Sequence, residues 1–305
     1  MTTTTLIPMR RTTRPIRMLD WLIVPFAEFA FMRRALAGIL ALSLSGAPLG
    51  VLLMLRRMSL TGDGLSHAIL PGTAIAYALF GLSLWHMTIG GFLAGGLIVL
   101  LAGLMSRATV LKEDATLASF YLISLALGVL IVSMRGSNVD LMHFLFGSVL
   151  ALDDQALILV AAIATLTLAS LALLWRPLVL DGLDPGFLRT VSRAGAPSYF
   201  AFMILLVLNL VAGFHALGTL LAVGFLVLPA VTSRFWARDL NGMVLVAGIV
   251  ALGGGVSGLL LSYHASLPTG PAMILMMGIL FIGSVMTGPV GSVLASHRAA
   301  RHRTG

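Results

Sequence analysis

The 305-residue chain has no cysteine, which excludes disulfides, zinc–thiolate modules, iron–sulfur clusters and thiol nucleophiles. It is also poor in charge. Asp, Glu, Lys and Arg together make up 10% of the residues, against about 25% in soluble domains. A soluble chain of this length needs a polar surface that this composition does not supply. Lysine is reduced to Lys112, which lies between Leu111 and Glu113. A P-loop requires Gly-Lys-Ser/Thr, so the chain has no ATPase site of that kind and is not expected to be an enzyme.

What is abundant is apolar. Hydrophobic residues make up 59% and mean hydropathy is +1.04. This composition predicts an all-α, polytopic integral membrane protein. Crossing a bilayer takes about 20 mostly apolar helical residues, and nine stretches qualify as candidates: 35–55, 63–80, 87–106, 116–134, 155–175, 199–214, 217–233, 243–263 and 271–290. Eight crossings is the alternative, if the two short segments on either side of His215 do not both cross. The organisation read from this pattern is a basic tail and interfacial segment at 1–34, one membrane domain at 35–290, and a basic tail at 291–305. The stretch "WLIVPFAEFAFM" is broken by Pro25 and Glu28 and followed by Arg33 and Arg34. It reads as an interfacial amphipathic segment rather than a cleaved leader.

The net charge of +8 does not signal nucleic acid, because the bases cluster between apolar runs; the expected partner surface is the lipid bilayer. With the C-terminal tail placed in the cytoplasm, the inner loops and that tail hold twelve of the nineteen bases, and the outer loops hold only Arg135. That bias follows the positive-inside rule. The six bases before Ala35 are the exception to it.

The most informative short stretch is "TGDGLSHAILPG", residues 61–72. Asp63 and His67 are four apart, which places them on one helical face. Ionisable groups in membrane segments are costly and mark ion or proton paths. An oxygen and a nitrogen donor together suit Zn²⁺, Mn²⁺ or Fe²⁺. The plainer alternatives are an Asp capping a helix at the span's edge and a His bonded to neighbouring backbone. Two ligands on one helix do not complete a site, so a metal reading requires further donors from elsewhere.

Other features are weaker. The outer loop 135–154 carries Asp140, His143, Asp153 and Asp154 and a net charge of −2, a candidate cation-concentrating mouth or a merely solvated loop. His86 and His264 fall near outer helix ends, and His215 lies between two short spans. Sixteen methionines without a Met-x-Met run read as packing, not copper handling. "GGGVSG" at 253–258 matches a dinucleotide fingerprint only by accident, since it lies inside an apolar span; its small residues suit close helix packing. In the inner loop 176–198, "LDPGFLRTV" predicts a short helix capped by Asp184 with Pro185 at its first position.

Several blocks carry a resemblance. The run "MRRALAGILALSLSGAPLGVLLMLRRMSLTGDGLSHAILPGTAIAY" resembles the N-terminal signature of the zinc/manganese/iron-type ABC transporter permeases, the ABC-3 family. "LFGSVL", "LDGLDPGFLRTVSRAG", "ALGTLLAVGFLVLPAVTSR" and "LPTGPAMIL" resemble further family blocks in the same order, so the likeness spans roughly 32–290. Two positions depart from the pattern. Ser266 stands where the family often has an acid before the terminal Leu-Pro, and Leu183 stands where it has Phe before the coupling Asp.

The resemblance implies a permease subunit of an ATP-binding cassette importer for manganese, zinc or iron, in the inner (plasma) membrane. It implies as partners two copies of a cytoplasmic ATP-binding subunit, an extracytoplasmic metal-binding protein and a second permease, forming a homodimer. No cofactor is expected to be permanently bound; the divalent metal is cargo. Asp63 and His67 become metal-path residues, and Asp184, Pro185, Gly186, Phe187, Leu188 and Arg189 the segment that couples to the ATPase. The rival expectations are a proton-coupled secondary metal transporter and an ABC permease for a metal chelate.

Overall fold

The computed structural model describes residues 18–134, 152–192 and 195–294. Within them the secondary structure is helical: α1 (Met18–Glu28), α2 (Ala30–Leu55), α3 (Ser59–Ala68), α4 (Leu70–Phe80), α5 (Leu84–Ala108), α6 (Glu113–Met134), α7 (Asp154–Leu183), α8 (Pro185–Val191), α9 (Gly195–Leu217), α10 (Thr219–Ser233), α11 (Leu240–Ala265) and α12 (Thr269–Thr287). Seven of these are long and apolar enough to cross a membrane as single helices: α2, α5, α6, α7, α9, α11 and α12. The expected span at 63–80 is α3 followed by α4, and the expected span at 217–233 is the 15-residue α10. Each falls short of a crossing as a single helix, which leaves the count of eight or nine approximate.

The bundle is built around α2 and α9. In each, 72% of the most apolar window is buried, whereas the other five long helices bury 22–44% of theirs. Leu49, Leu52 and Leu53 of α2 pack with Phe202, Leu206 and Leu210 of α9 in one core; Met32 and Ile39 pack with Phe225, Leu259 and Met273 in a second. The peripheral helices turn leucines outward. On α5, Leu93, Leu97, Leu100 and Leu104 are all exposed along one stripe. In water such a stripe would aggregate; facing lipid it is at no disadvantage.

Small residues set how closely the helices approach. A Cβ on Gly72 of α4 would strike the backbone of Gly90 on α5, and one on Gly258 of α11 would strike the backbone of Met273 on α12. Gly254 and Gly255 likewise face Met277 and the Ile39–Phe225 contact. The "GGGVSG" stretch is therefore a helix-packing face.

Helices α2 and α7 are tied at both ends. Near the start of each, Arg34 Nη1 lies 3.1 Å from Asp154 Oδ1 on the exposed surface. Near the end of each, Arg56 Nη1 lies 2.8 Å from Asp181 Oδ2, with both side chains 6% exposed. The Arg56 end is the one that the positive-inside bias of the sequence expects in the cytoplasm. Helix α1 folds over the other end, where the Trp21 ring stacks on His264 at 4.1 Å. Trp21, Leu22, Ile23 and Val24 remain exposed there.

The Gly72–Gly90 contact is testable. Gly72→Ala is expected to destabilise the protein by about 1–3 kcal/mol through overpacking. Gly96→Ala, with nothing within 4 Å of the added carbon, is expected to be neutral. Thermal unfolding in detergent measures both, and equal midpoints would contradict the close approach.

Candidate metal-path site

Helix α3 begins at Ser59, four residues before Asp63. Asp63 is thus not a capping residue; it sits in the second turn, about 6 Å along the axis, and His67 about 12 Å along. His67 Nε2 and Asp63 Oδ1 are 3.9 Å apart, too far for a hydrogen bond. At metal–ligand bonds of about 2.0–2.2 Å and tetrahedral angles, two donors that share one ion lie about 3.3–3.6 Å apart. The observed 3.9 Å is a little longer, so the two side chains must close slightly to hold one ion.

The face that carries the pair is open. Leu60 is 87% exposed, and the Asp63 and His67 side chains are 61% and 28% exposed. The other face, with Thr61, Gly64, Leu65, Ser66 and Ala68, is buried. Gly64 lies under the Tyr121 ring of α6, where a Cβ would collide with it. His67 Nδ1 is buried with no hydrogen-bond partner. The reading of His67 as a ring satisfied by nearby backbone is not what the structure shows.

The helix breaks just past the site. Pro71 has no N–H to give the ladder and its ring obstructs it. The carbonyl left without that bond is His67 O, four residues back, and the next one, Ala68 O, accepts from Ser124 Oγ of α6 at 3.0 Å. A neighbouring helix that supplies a bond at the break is how a proline is tolerated at membrane depth. Ser124 thereby fixes the end of α3 immediately after His67.

Asp184 closes α7 and opens α8. Its Oδ1 accepts from Phe187 N at 2.9 Å, and Pro185 enters the first turn. Within α8, Leu188 is buried and Phe187 is exposed, while Gly186 and Arg189 lie on the same seven-residue helix. The outward apolar side chain is Phe187, and Leu188 anchors the segment to the bundle.

Asp153 caps α7, its Oδ1 accepting from Ala156 N at 2.7 Å, and Asp154 pairs with Arg34. Asp140 and His143 fall outside the described residues. Among the described residues the other histidines, His86, His215 and His264, are engaged elsewhere. His215 Nε2 is 3.0 Å from Thr88 Oγ1, and His86 Nδ1 is 2.7 Å from Ser83 Oγ. Ser266 forms the left-handed turn between α11 and α12, at φ 53°. Among the described residues no three His, Asp or Glu side chains converge.

Sequence reasoning missed the Arg56–Asp181 pair. Arg56 was counted only as a loop base and Asp181 was not singled out. The guanidinium also lies 4.3 Å over the Phe202 ring and donates to Leu178 O at 3.3 Å. Burial lowers the Arg56 pKa from its ordinary value, and Asp181 is the first of the groups that oppose the shift. A lone acid three residues before the capping Asp184 was the available signal.

The ABC 3 transport family model matches residues 28–288. The chain belongs to that family. It is a multi-pass protein of the plasma membrane. Among its relatives, "Manganese import system permease protein ScaB" of Streptococcus parasanguinis is 30% identical over 86% of this chain and 92% of its own length. "Probable iron transport system membrane protein" of Haemophilus influenzae is 31% identical over 87% of this chain and 96% of its own length. Among solved structures, PsaBC from Streptococcus pneumoniae in complex with Fab superposes with a TM-score of 0.79 at 26% identity. That match covers 90% of this chain and 98% of the solved one.

The two Arg–Asp ties predict unequal costs. Breaking a buried pair costs about 3–5 kcal/mol, because a charge is left uncompensated; an exposed pair contributes about 0–1 kcal/mol. Asp181→Asn is therefore expected to lower the unfolding midpoint strongly and Asp154→Asn barely. Comparable shifts for the two would show that the Arg56 end is solvated.

Proposed function

We propose that this chain is the permease subunit of an ATP-driven importer of a divalent metal, manganese or iron, with zinc admitted by the same donor types. The observation that carries the reading is the Asp63–His67 pair, one oxygen and one nitrogen donor 3.9 Å apart on a face of α3 that the protomer leaves uncovered. The set is incomplete in one protomer, and a second copy of the permease facing the first would complete it. The names of the relatives, manganese import and iron transport, agree with this donor chemistry.

The ion is received at the outer end from an extracytoplasmic binding protein and passes Asp63 and His67 before release. Two transient ligands and water hold it loosely enough to leave, as conduction requires. Energy comes from two copies of an ATP-binding subunit docked at the Asp184–Arg189 segment, because the sole lysine, Lys112, has no P-loop around it. Phe187 is the residue that meets that subunit, being the exposed apolar side chain of α8.

Three measurements test this reading. Asp63→Ala and His67→Ala are each expected to reduce manganese and iron uptake in cells to background at unchanged membrane expression; full uptake in both would sink the site. Phe187→Arg is expected to abolish co-purification of the ATP-binding subunit while the fold is retained, and undiminished capture would place docking elsewhere. The purified permease alone is expected to hydrolyse no ATP, and measurable turnover would refute the division of labour.

A further inference from the structure

Between the ATPase-facing segment and the helix that carries Asp63 and His67 runs a short chain of contacts. It begins at α8. Asp184 caps α8 and closes α7, so movement of α8 acts directly on the last turn of α7. Asp181 lies in that turn, three residues earlier, and its carboxylate holds the Arg56 guanidinium at 2.8 Å. The guanidinium has little freedom. It is stacked 4.3 Å over the fully buried Phe202 ring and donates to the Leu178 carbonyl at 3.3 Å.

Arg56 is in turn the C-cap of α2. The chain leaves it through a closed turn. Arg57 N donates to Met54 O at 3.0 Å and Met58 N to Leu53 O at 3.1 Å, with Arg57 in the left-handed region at φ 58°. These two bonds are the Schellman pattern, here built on a non-glycine residue. Ser59 then starts α3. Only Arg57 and Met58 separate the buried ion pair from the metal-path helix, and both are held by backbone bonds.

We propose that the Arg56–Asp181 ion pair is the positioning link that makes the α7–α8 junction and the start of α3 move as one body. Displacement of α8 by the ATP-binding subunit then shifts Asp63 and His67 relative to the facing permease. The inference rests on the transport reading above and adds to it the residue pair that transmits the motion. An ion pair suits the task because its geometry is fixed by charge, stacking and hydrogen bonding together. Apolar side chains in the same place would fill the volume and still slide.

Two experiments decide it, both on the full permease reconstituted with its ATP-binding subunit, with Mn²⁺ as the probe ion. The first uses the double variant Arg56→Met, Asp181→Leu, which replaces the pair by apolar groups and so avoids a stranded charge. It is expected to keep subunit capture and ATP hydrolysis while Mn²⁺ taken up per ATP falls at least tenfold; a ratio within twofold of wild type overturns the proposal.

The second needs no change to the pair. The chain is free of cysteine, so spin labels can be placed at Leu60→Cys and Leu183→Cys, both exposed in the single protomer, in one labelled protomer per complex. The distance between them is expected to stay constant between nucleotide-free and ATP-bound states, and a nucleotide-dependent change in it overturns the link. Failure of the transport reading itself has a different signature: a wild-type complex that hydrolyses ATP without taking up Mn²⁺. The label distance decides the link in that case too.

Discussion

The hydrocarbon core of a bilayer offers no water to an unpaired backbone group, and most of this structure follows from that constraint. It forces the chain into helices long enough to cross. It also makes every departure from helix a place where something else must supply a bond. The break after His67 is such a place. Pro71 interrupts the ladder, and Ser124 of α6 reaches across to the Ala68 carbonyl. The turn at Arg56–Met58, at the end of α2, is closed by its own backbone bonds with Arg57 held at positive φ. Helix α3 lies between these two points. It is short, fixed at both ends, and carries the only acid–histidine pair one turn apart among the described residues.

Fixing the helix ends while leaving one face bare is a consistent arrangement for a site that must bind and release. The buried side of α3 is packed with small residues against α6, including Gly64 beneath Tyr121. The exposed side presents two donors and an apolar residue, Leu60. Completed by four or more protein ligands from one chain, such a site would hold its ion too tightly to pass it on. Two ligands on each of two facing permeases would give a site that exists only in some relative positions of the pair. Release then requires a shift of the helices and no change in ligand chemistry.

Much of this was legible in the sequence. Hydropathy located the long helices, because lipid-facing and core-facing residues alike are apolar and the signal is strong. The i, i+4 spacing placed Asp63 and His67 on one face, and Asp-Pro at 184–185 marked a helix start. The start of α3 was not legible. Ser59, Thr61 and Gly62 are poor helix formers, and tertiary packing, with Thr61 and Gly62 buried against the bundle, overrides their propensity. Nor was the break at Ile69 placed, since proline alone does not say which neighbour will supply a bond there. The Arg56–Asp181 contact joins residues from opposite halves of the chain, and no local pattern encodes a pairing at that separation.

The two Arg–Asp ties between α2 and α7 also separate what is structural from what is functional. They join the same two helices with the same two residue types, and differ only in burial. The outer tie, at Asp154, sits in water and salt, where such a pair constrains little. The inner tie is stripped of solvent, stacked on Phe202 and hydrogen-bonded to Leu178, so it holds one geometry. A membrane protein that needed only to hold α2 against α7 has no reason to bury a charge pair, since apolar packing does that at lower cost. Burying it at the end where α8 joins the bundle, three residues from the cap of α8 and three from the start of α3, makes sense where those elements must keep their register while the rest of the molecule rearranges.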